Sequence, residues 1–180
     1  MAEPRGRHLT KRPVGPAGVT LKILGRLYSR TELLEQRIRW KDQGQVVAFT
    51  NGCYDVLHPG HIRLMEYARS LADVLIVALN TDAGVRRLKG PSRPLLPEQE
   101  RAEILAALEA VDAVILFDEE TPRQLIAELL PDILMKGADW SHFIAGREEV
   151  EAAGGKVIAA PLRSGYSTTG IIEKLLALQP

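Results

Sequence analysis

The chain has 180 residues, 46% of them hydrophobic, which allows one hydrophobic core and is too short for two ordinary domains. Its 23 basic and 23 acidic residues balance to a formal net charge of zero, so the charge gives no indication of nucleic acid as a partner. The single cysteine, Cys53, excludes an intramolecular disulfide and is typical of a reducing, cytoplasmic location, and no apolar run approaches the ~20 residues that span a membrane.

The N-terminal segment, residues 1–27, is basic and contains Pro and Gly, but it lacks the apolar stretch of a secretory signal. We expect a flexible tail over residues 1–27 and one folded domain over residues 28–180. The first element of that domain is a predicted helix over residues 31–44, which begins near Thr31 and ends at Gly44.

From residue 46 onward, short apolar runs alternate with segments of helical periodicity. Two of the helices carry start signals: Pro97 at a first helical position, and Thr121 as an N-cap with Gln124 three residues later. Ser167 or Thr168 is expected to cap the last helix. In chain order, the pattern predicts a strand over 46–51, a helix over 60–72, a strand over 74–80, a helix over 97–110, a strand over 113–117, a helix over 121–130, a strand over 132–136, a helix over 147–155, a strand over 156–160 and a helix over 167–178.

This alternation predicts an α/β fold with three layers, α/β/α, around a mostly parallel sheet of five strands. The strands are continuously apolar, as expected when helices cover both faces of the sheet. Because sheets of this kind bind ligands beyond the carboxyl ends of their strands, we expect the functional residues to follow the strands directly.

Polar, glycine and basic residues do follow the predicted strands. The basic ones form a positive rim on a neutral protein, which favours a polyanionic ligand such as a nucleotide. The residues concerned are Thr50, Asn51, Gly52, Asp55, His58, Gly60 and His61 after the first strand; Asn80 and Asp82 with the basic loop 86–94, including Arg86, Arg87, Lys89 and Arg93, after the second; Lys136, Gly137 and Asp139 after the fourth; and Arg163, Ser167, Thr168 and Thr169 after the fifth.

Two histidines bracket a Pro-Gly pair where the first of these strands leads into a helix. Gly60 and His61 are expected to open that helix, whose free N–H groups and positive dipole end favour phosphate. His58 and His61 can both direct a ring N–H at phosphate oxygens. Hydroxyl groups crown the last helix in the same way at residues 167–169, so the sequence predicts a phosphate cradle.

The same residues allow interpretations other than a phosphate cradle. His58, His61 and Asp55 also match a transition-metal site of two histidines and a carboxylate, although Pro59 and Gly60 support fixed ligand geometry poorly. Both histidines could instead be structural, and Cys53 is interpreted as a packed residue because nothing marks it as activated. The dinucleotide fingerprint G-x-G-x-x-G and the P-loop are both absent, which disfavours those two phosphate-binding families.

The stretch "TNGCYDVLHPGH" resembles the H-x-G-H signature of the nucleotidylyltransferase superfamily, which includes cytidylyltransferases and pantetheine-phosphate adenylyltransferase. With the long block 75–140 and "GYSTTGIIEKL", the chain is similar to the adenylyltransferase domain of the bacterial ADP-heptose synthases over residues 28–176. The resemblance implies a Rossmann-like nucleotidylyltransferase fold. It also implies an enzyme that transfers AMP from ATP to D-glycero-β-D-manno-heptose 1-phosphate in the presence of Mg²⁺, giving ADP-heptose for the lipopolysaccharide core and pyrophosphate.

The resemblance also implies roles and partners. A separate heptose kinase is expected to supply the acceptor, and a homodimer is possible. Arg101 is expected to organise the loop that precedes its helix. The site residues implied are His58, His61 and Lys89 for catalysis; Thr50, Asn51, Gly52, His58, Gly60, His61, Lys136, Gly137, Asp139, Ser167, Thr168 and Thr169 for the nucleotide; and Asp55, Asn80, Asp82, Lys89 and Arg93 for the acceptor substrate.

Three rival functions remain open at this point. The same chemistry could act on another phosphorylated alcohol, for instance as a cytidylyltransferase that uses CTP and glycerol 3-phosphate. A nucleotide-binding module without turnover is the second rival, and the histidine pair with Lys89 argues against it. An NAD-dependent oxidoreductase is the weakest, because the first strand-to-helix turn lacks the required glycine spacing.

Overall fold

A parallel sheet of six strands forms the centre of the described part of the chain, with helices on both faces. The computed structural model describes residues 26–137, 144–160 and 166–178. The strands are β1 (Arg26–Tyr28), β2 (Val47–Gly52), β3 (Val74–Asn80), β4 (Ala113–Phe117), β5 (Ile133–Gly137) and β6 (Lys156–Ala160). The helices are α1 (Arg30–Asp42), α2 (Pro59–Ser70), α3 (Asp82–Lys89), α4 (Glu98–Ala106), α5 (Arg123–Leu129), α6 (Arg147–Ala152) and α7 (Thr168–Leu176).

The strand order is β1-β4-β3-β2-β5-β6, and every pairing is parallel. From β2 the chain proceeds through β3 to β4, and then crosses back to place β5 on the other side of β2. The direction of winding therefore reverses between β2 and β5. In open parallel sheets, ligands bind in the crevice at such a reversal, beyond the carboxyl ends of the strands.

Alternate residues along each strand face opposite helical layers, as a pleated strand requires. Phe49 of β2 belongs to the core cluster that contains Leu33 of α1 and Ile126 of α5. Leu75 of β3 belongs to the second cluster, with Met65 of α2. All five side chains are fully buried. The predicted three-layer α/β/α architecture is confirmed.

Aspartate carboxylates bind backbone N–H groups at the amino ends of two strands. Asp73, Asp112 and Asp132 each precede a strand by one residue. Each accepts a hydrogen bond from a backbone N–H at the amino end of β2 or β3: Asp73 from Val46 at 2.9 Å, Asp132 from Val47 at 2.8 Å and Asp112 from Leu75 at 3.0 Å. These bonds help to fix the strand register because they satisfy donors that the parallel ladder leaves free.

The sheet has one strand more than the five that were predicted. The additional strand, β1, pairs with β4 and aligns Leu27 with Val114. It has only three residues, too few for a recognisable apolar run. Arg26 and Leu27 thus lie in the sheet, although the sequence had placed them in the N-terminal segment.

Four local predictions at helix starts are corrected. Residues 82–89 form α3, capped by the Thr81 hydroxyl, so Arg86, Arg87 and Lys89 lie on a helix and not in a loop.

Helix α1 is capped by Ser29 in a capping box with Glu32, ahead of Thr31. Helix α5 begins after Pro122 without a side-chain cap, so Thr121 is not its N-cap. Pro97 precedes the first residue of α4 and does not occupy it. None of the helices in the described ranges is long and apolar enough to cross a membrane.

Candidate functional site

The loop after β2 leads directly into the N-terminus of α2, and His58 is the N-cap residue of that helix. Pro59 occupies the first helical position, where its missing N–H costs nothing. A Cβ at Gly60 would lie 3.0 Å from His58 Nδ1 and 3.5 Å from Tyr166 Cβ. The small residue therefore lets the His58 ring lie close against the first turn of the helix, with Tyr166 packed nearby.

The rings of His58 and His61 are stacked, with centroids 3.7 Å apart and planes inclined by 18°. Tyr54 contacts His61 edge-on at 5.1 Å, and Tyr166 lies over His58 at 6.2 Å. The Nδ1 atoms of both histidines are buried and have no hydrogen-bond partner among the described residues. Burial without a protein partner leaves each ring ready to pair with a ligand.

Burial also decides the charge of the pair. It lowers the pKa of His61 to about 4, with a smaller contribution from repulsion by His58. Burial likewise lowers the pKa of His58 below its usual value of 6.5. Both imidazoles are therefore neutral at pH 7, and each carries one N–H donor and one acceptor nitrogen.

The N-terminus of α7 lies beside that of α2. Thr168 donates a hydrogen bond from Oγ1 to the Val56 carbonyl at 3.1 Å, and Tyr166 packs on His58. Ser167 caps α7 by accepting the Gly170 N–H at 2.9 Å, as the sequence predicted. Two helix N-termini, each with free N–H groups and a positive dipole end, thus meet at the histidine pair. Exposed Thr169 is part of the same turn.

The ends of β2 and β5 lie on either side of the crevice where the winding reverses. Lys136 spans it, donating from Nζ to the Asn51 carbonyl at 3.1 Å. Gly137 ends β5, and Thr50, Asn51 and Gly52 end β2. The Asn51 side-chain oxygen is buried without a partner among the described residues. Asp139, assigned to the nucleotide, and Arg163, assigned to the positive rim, lie outside the described residues.

Arg101 ties the loops at the β3 side of the site together. Its guanidinium is almost fully buried and donates to the carbonyl oxygens of Cys53 at 2.6 Å, Asn80 at 3.0 Å and Leu96 at 2.9 Å. It also pairs with Asp82 Oδ1 at 2.7 Å. The sequence assigned Arg101 to loop organisation, and these contacts confirm it. Asn80 and Asp82, predicted to bind substrate, are engaged in this network.

Asp55 and Arg93, both predicted to bind the acceptor, form an ion pair with each other. Arg93 Nε lies 2.5 Å from Asp55 Oδ2. The other carboxylate oxygen accepts the backbone N–H groups of Leu95 at 2.7 Å and Leu96 at 3.1 Å. Asp55 is 2% exposed, so its carboxylate is committed to the 93–96 segment.

Lys89, the last residue of α3, is exposed, and its charge reaches the loop after β2. The positive charges of Lys89, Arg101 and Arg93 act to lower the pKa of the Cys53 thiol, but burial outweighs them and raises it. The thiol therefore stays protonated near neutral pH, consistent with a packed residue and not a nucleophile.

Two aromatic residues of the site were missed from the sequence. Tyr54 and Tyr166 contact the histidine pair, and both directly adjoin motif residues, at the strand end and before the Ser-Thr-Thr run. That adjacency was the only signal for them. Within the described ranges, no group of three or more His, Cys, Asp or Glu residues could hold a metal ion, so the alternative of a metal site at Asp55, His58 and His61 is not supported.

Residues 49–174 match the family model described as "Cytidylyltransferase-like". Among curated relatives, "Bifunctional protein HldE" of Azorhizobium caulinodans is 51% identical over 151 residues, covering 83% of this chain and 32% of that protein. The protein of the same name from Hyphomonas neptunium is 49% identical over 163 residues, covering 90% of this chain and 32% of the relative. The chain thus spans about a third of the length of these relatives.

Two solved structures share the architecture. A lipopolysaccharide core biosynthesis protein from Thermoplasma volcanium is 28% identical with a TM-score of 0.55. The match covers 69% of this chain and 100% of that protein's chain. A pantoate-beta-alanine ligase from Francisella tularensis, complexed with an ATP ligand and beta-alanine, is 18% identical with a TM-score of 0.57, covering 81% and 69% of the two chains. The second likeness concerns the fold alone.

Proposed function

The chain belongs to the cytidylyltransferase-like family of nucleotidyltransferases, and on that premise we propose that it transfers AMP from ATP to D-glycero-β-D-manno-heptose 1-phosphate, giving ADP-heptose and pyrophosphate. Family membership confirms the resemblance to nucleotidylyltransferases that the sequence predicted. The choice of sugar is supported by relatives about 50% identical that are named HldE, and by a structural relative described as acting in lipopolysaccharide core biosynthesis. Because those HldE proteins are about three times longer, the activity assigned to this chain is a proposal.

The stacked pair of His58 and His61 carries the proposal. Two half-buried, neutral imidazoles, whose buried Nδ1 atoms have no partner among the described residues, lie at the meeting point of two helix N-termini. A triphosphate in this position would receive hydrogen bonds from the rings and from free backbone N–H groups, and the helix dipoles would favour its charge.

The strand order β3-β2-β5 suggests how the substrates lie. The nucleoside would occupy the β2–β5 crevice beside Lys136, Gly137 and Asn51, with the triphosphate over α2 and α7. The acceptor would then approach from the β3 side, where Lys89 and Arg93 supply positive charge.

In the proposed reaction, an oxygen of the sugar phosphate attacks the α-phosphorus of ATP in line. A new P–O bond forms to the sugar phosphate as the bond to the bridging oxygen breaks, and pyrophosphate leaves. The nucleophile is already anionic, so the step needs no strong general base and depends on alignment and on stabilising developing charge. His58, His61 and Lys89 would donate to the reacting phosphates, and residues 167–169 would hold the outer ones.

Mg²⁺ is proposed to enter with ATP. The described residues offer no cluster of protein ligands for an ion, and this fits Mg²⁺, which commonly binds through substrate phosphates and water. Bound there, it would neutralise phosphate charge. A separate kinase that supplies the acceptor stays a prediction. The homodimer also stays a prediction.

A pyrophosphate-release assay tests the function. We expect release with ATP and D-glycero-β-D-manno-heptose 1-phosphate, and none above background with CTP and glycerol 3-phosphate. Release only from the second pair would instead establish a glycerol 3-phosphate cytidylyltransferase; the description of the family model names cytidylyl transfer but no acceptor. Saturable ATP binding without release from any pair would indicate a binding module instead.

A further inference from the structure

The carboxylate of Asp55 is buried and already paired in this conformation. It is 2% exposed, and its oxygens accept Arg93 Nε at 2.5 Å and the backbone N–H groups of Leu95 and Leu96 at 2.7 and 3.1 Å. A carboxylate that is 2% exposed and accepts three hydrogen bonds is well satisfied, and its burial keeps it from a sugar hydroxyl. Asp55 therefore acts on the residues that it contacts, Arg93, Leu95 and Leu96.

Arg93 has its side chain only partly satisfied. Its Nε donates to Asp55, whereas its two terminal nitrogens have no acceptor among the described residues. The side chain is 15% exposed, so the guanidinium is held close to the protein while its terminal nitrogens stay open to a ligand. A guanidinium fork with its terminal N–H donors free matches the geometry of phosphate oxygens, which arginine binds in bidentate fashion.

The position of this fork suggests which phosphate it would bind. Asp55 lies three residues before His58, so its ion pair holds Arg93 against the loop that leads to the histidine pair. It reaches that loop from the segment after α3, on the β3 side of β2, whereas Lys136 marks the opposite, β5 side. A phosphate held here would be on the acceptor's side of the triphosphate.

We infer that Asp55 is a positioning residue, which orients Arg93 so that the two terminal nitrogens of the guanidinium bind the monoester phosphate of the acceptor. This inference rests on the proposed function. It replaces direct substrate contact by Asp55 with an indirect role. It also restricts the acceptor class to phosphate monoesters, since a neutral alcohol has no anionic oxygens for the two guanidinium donors to bind.

The Asp55→Asn variant isolates this role. The asparagine carbonyl can still accept from Leu95 and Leu96, and Arg101 still holds the Leu96 carbonyl at 2.9 Å, so the segment stays in place. The new amide N–H₂, however, would face Arg93 Nε donor to donor, which displaces the fork. We expect KM for heptose 1-phosphate to rise about 10- to 100-fold, with the Kd for ATP changed less than about twofold.

Arg93→Lys should produce a similar rise in KM for the acceptor, because one ammonium cannot serve both Asp55 and a bidentate phosphate. In the double variant the two effects should not multiply, since Asp55 acts through Arg93. Glu151→Gln is the matched control. It removes a carboxylate from an exposed arginine pair, with Arg147 at 3.0 Å, and should leave all constants unchanged.

Calorimetric titration onto protein carrying α,β-methylene-ATP separates this inference from the proposed function. If the wild type does not bind heptose 1-phosphate, the proposed function is wrong. Inorganic phosphate is then titrated onto the same complex to test the phosphate site by itself. Loss of phosphate affinity in Asp55→Asn and Arg93→Lys, with the wild type binding, supports the inference. Equal affinity in all three proteins, multiplicative effects in the double variant, or an equal loss of ATP affinity overturns it.

Discussion

At residues 58 and 61, two imidazoles lie face to face, and burial lowers the pKa of both, which keeps them neutral at pH 7. Two imidazolium rings at 3.7 Å would repel each other, whereas neutral rings stack without that penalty. The neutral form also retains an N–H donor for a phosphate oxygen. The chemistry of the pair therefore depends on its burial as much as on the identity of the residues.

His61→Ala should lower kcat for AMP transfer about 10²- to 10³-fold, because it removes one preorganised donor to the reacting phosphates. The assay is pyrophosphate release at saturating substrates, with circular dichroism to check the fold. Glu66→Ala, an exposed change on the same helix, is the control and should be near wild type. Near-normal turnover by His61→Ala would contradict the assignment.

The stability of the protein should depend on pH through His61. Its pKa is about 4 in the folded chain against 6.5 as the usual value, so the unfolded chain binds more protons between those two values. The free energy of unfolding should therefore fall as the pH drops from about 6.5 toward about 4. His61→Gln should flatten this decline in urea-unfolding curves recorded across that range, and an unchanged slope would count against the buried, neutral ring.

At the scale of elements, strands and loops are joined by charged side chains that reach the backbone of distant segments. Asp73, Asp112 and Asp132 bind N–H groups at the amino edge of the sheet. Arg101 and Asp55 bind backbone groups at the carboxyl edge. Buried backbone groups need partners, and a charged side chain satisfies several at once. The amino-edge contacts stabilise the sheet, and the carboxyl-edge contacts shape the site.

Asp132→Ala should lower the free energy of unfolding by about 1–3 kcal/mol, because the fully buried Val47 loses the acceptor of its N–H. The same change removes the carboxylate partner of Arg37, which keeps its hydrogen bonds to the carbonyl oxygens of Leu129 and Leu130. Urea unfolding measures the loss, and Asp42→Ala, at an exposed helix end, is the control. Equal stability of the two variants would show that the aspartate is dispensable.

Arg101→Met should be more severe, with a loss of about 3–5 kcal/mol, because it leaves Asp82 and buried carbonyl oxygens unpaired. Both KM values should rise, since the loops after β2 and β3 lose their common anchor. Thermal and urea unfolding give the stability, and initial rates give the KM values. Arg39→Met, which removes an exposed pair with Glu35, should change neither. A stable Arg101→Met variant with normal KM values would refute the anchoring role.

At the scale of the whole molecule, the site exists because winding reverses between β2 and β5. The reversal leaves a crevice at the carboxyl edge, and the helices that begin there present their N-termini to it. At this edge Lys136 of β5 contacts Asn51 of β2, and Thr168 of α7 contacts the loop that leads into α2.

Ligand binding at such a site should stabilise the whole fold. ATP with Mg²⁺ at about 100 times its Kd should add about 2.7 kcal/mol to the free energy of unfolding. A thermal-shift titration measures this, and CTP at the same concentration should produce a smaller shift. No shift with ATP, or a larger one with CTP, would contradict the proposed nucleotide.

The sequence was informative where the signal is local. Five of the six strands and the Ser167 cap of α7 follow from apolar runs and turn residues, whereas α2 begins at Pro59, one residue before the predicted start at Gly60. Strand β1 was missed because three residues carry no periodicity, and α3 because its basic composition resembles a solvated loop. Thr121 carried a capping signal that the chain does not use, since α5 begins after Pro122. In each case packing against the sheet, and not local preference, decided the outcome.

By itself, the sequence determined the layered α/β architecture, the strand ends that carry the functional residues, and the family motif around His58 and His61. Only the tertiary structure decided that Asp55 holds Arg93 and that Arg101 joins the loops after β2 and β3. Those contacts link positions 38 and 48 residues apart, as in Asp55 with Arg93 and Cys53 with Arg101. Local periodicity shows which face of a helix or strand a side chain occupies. The residue that it contacts depends on how the strands are ordered in the sheet.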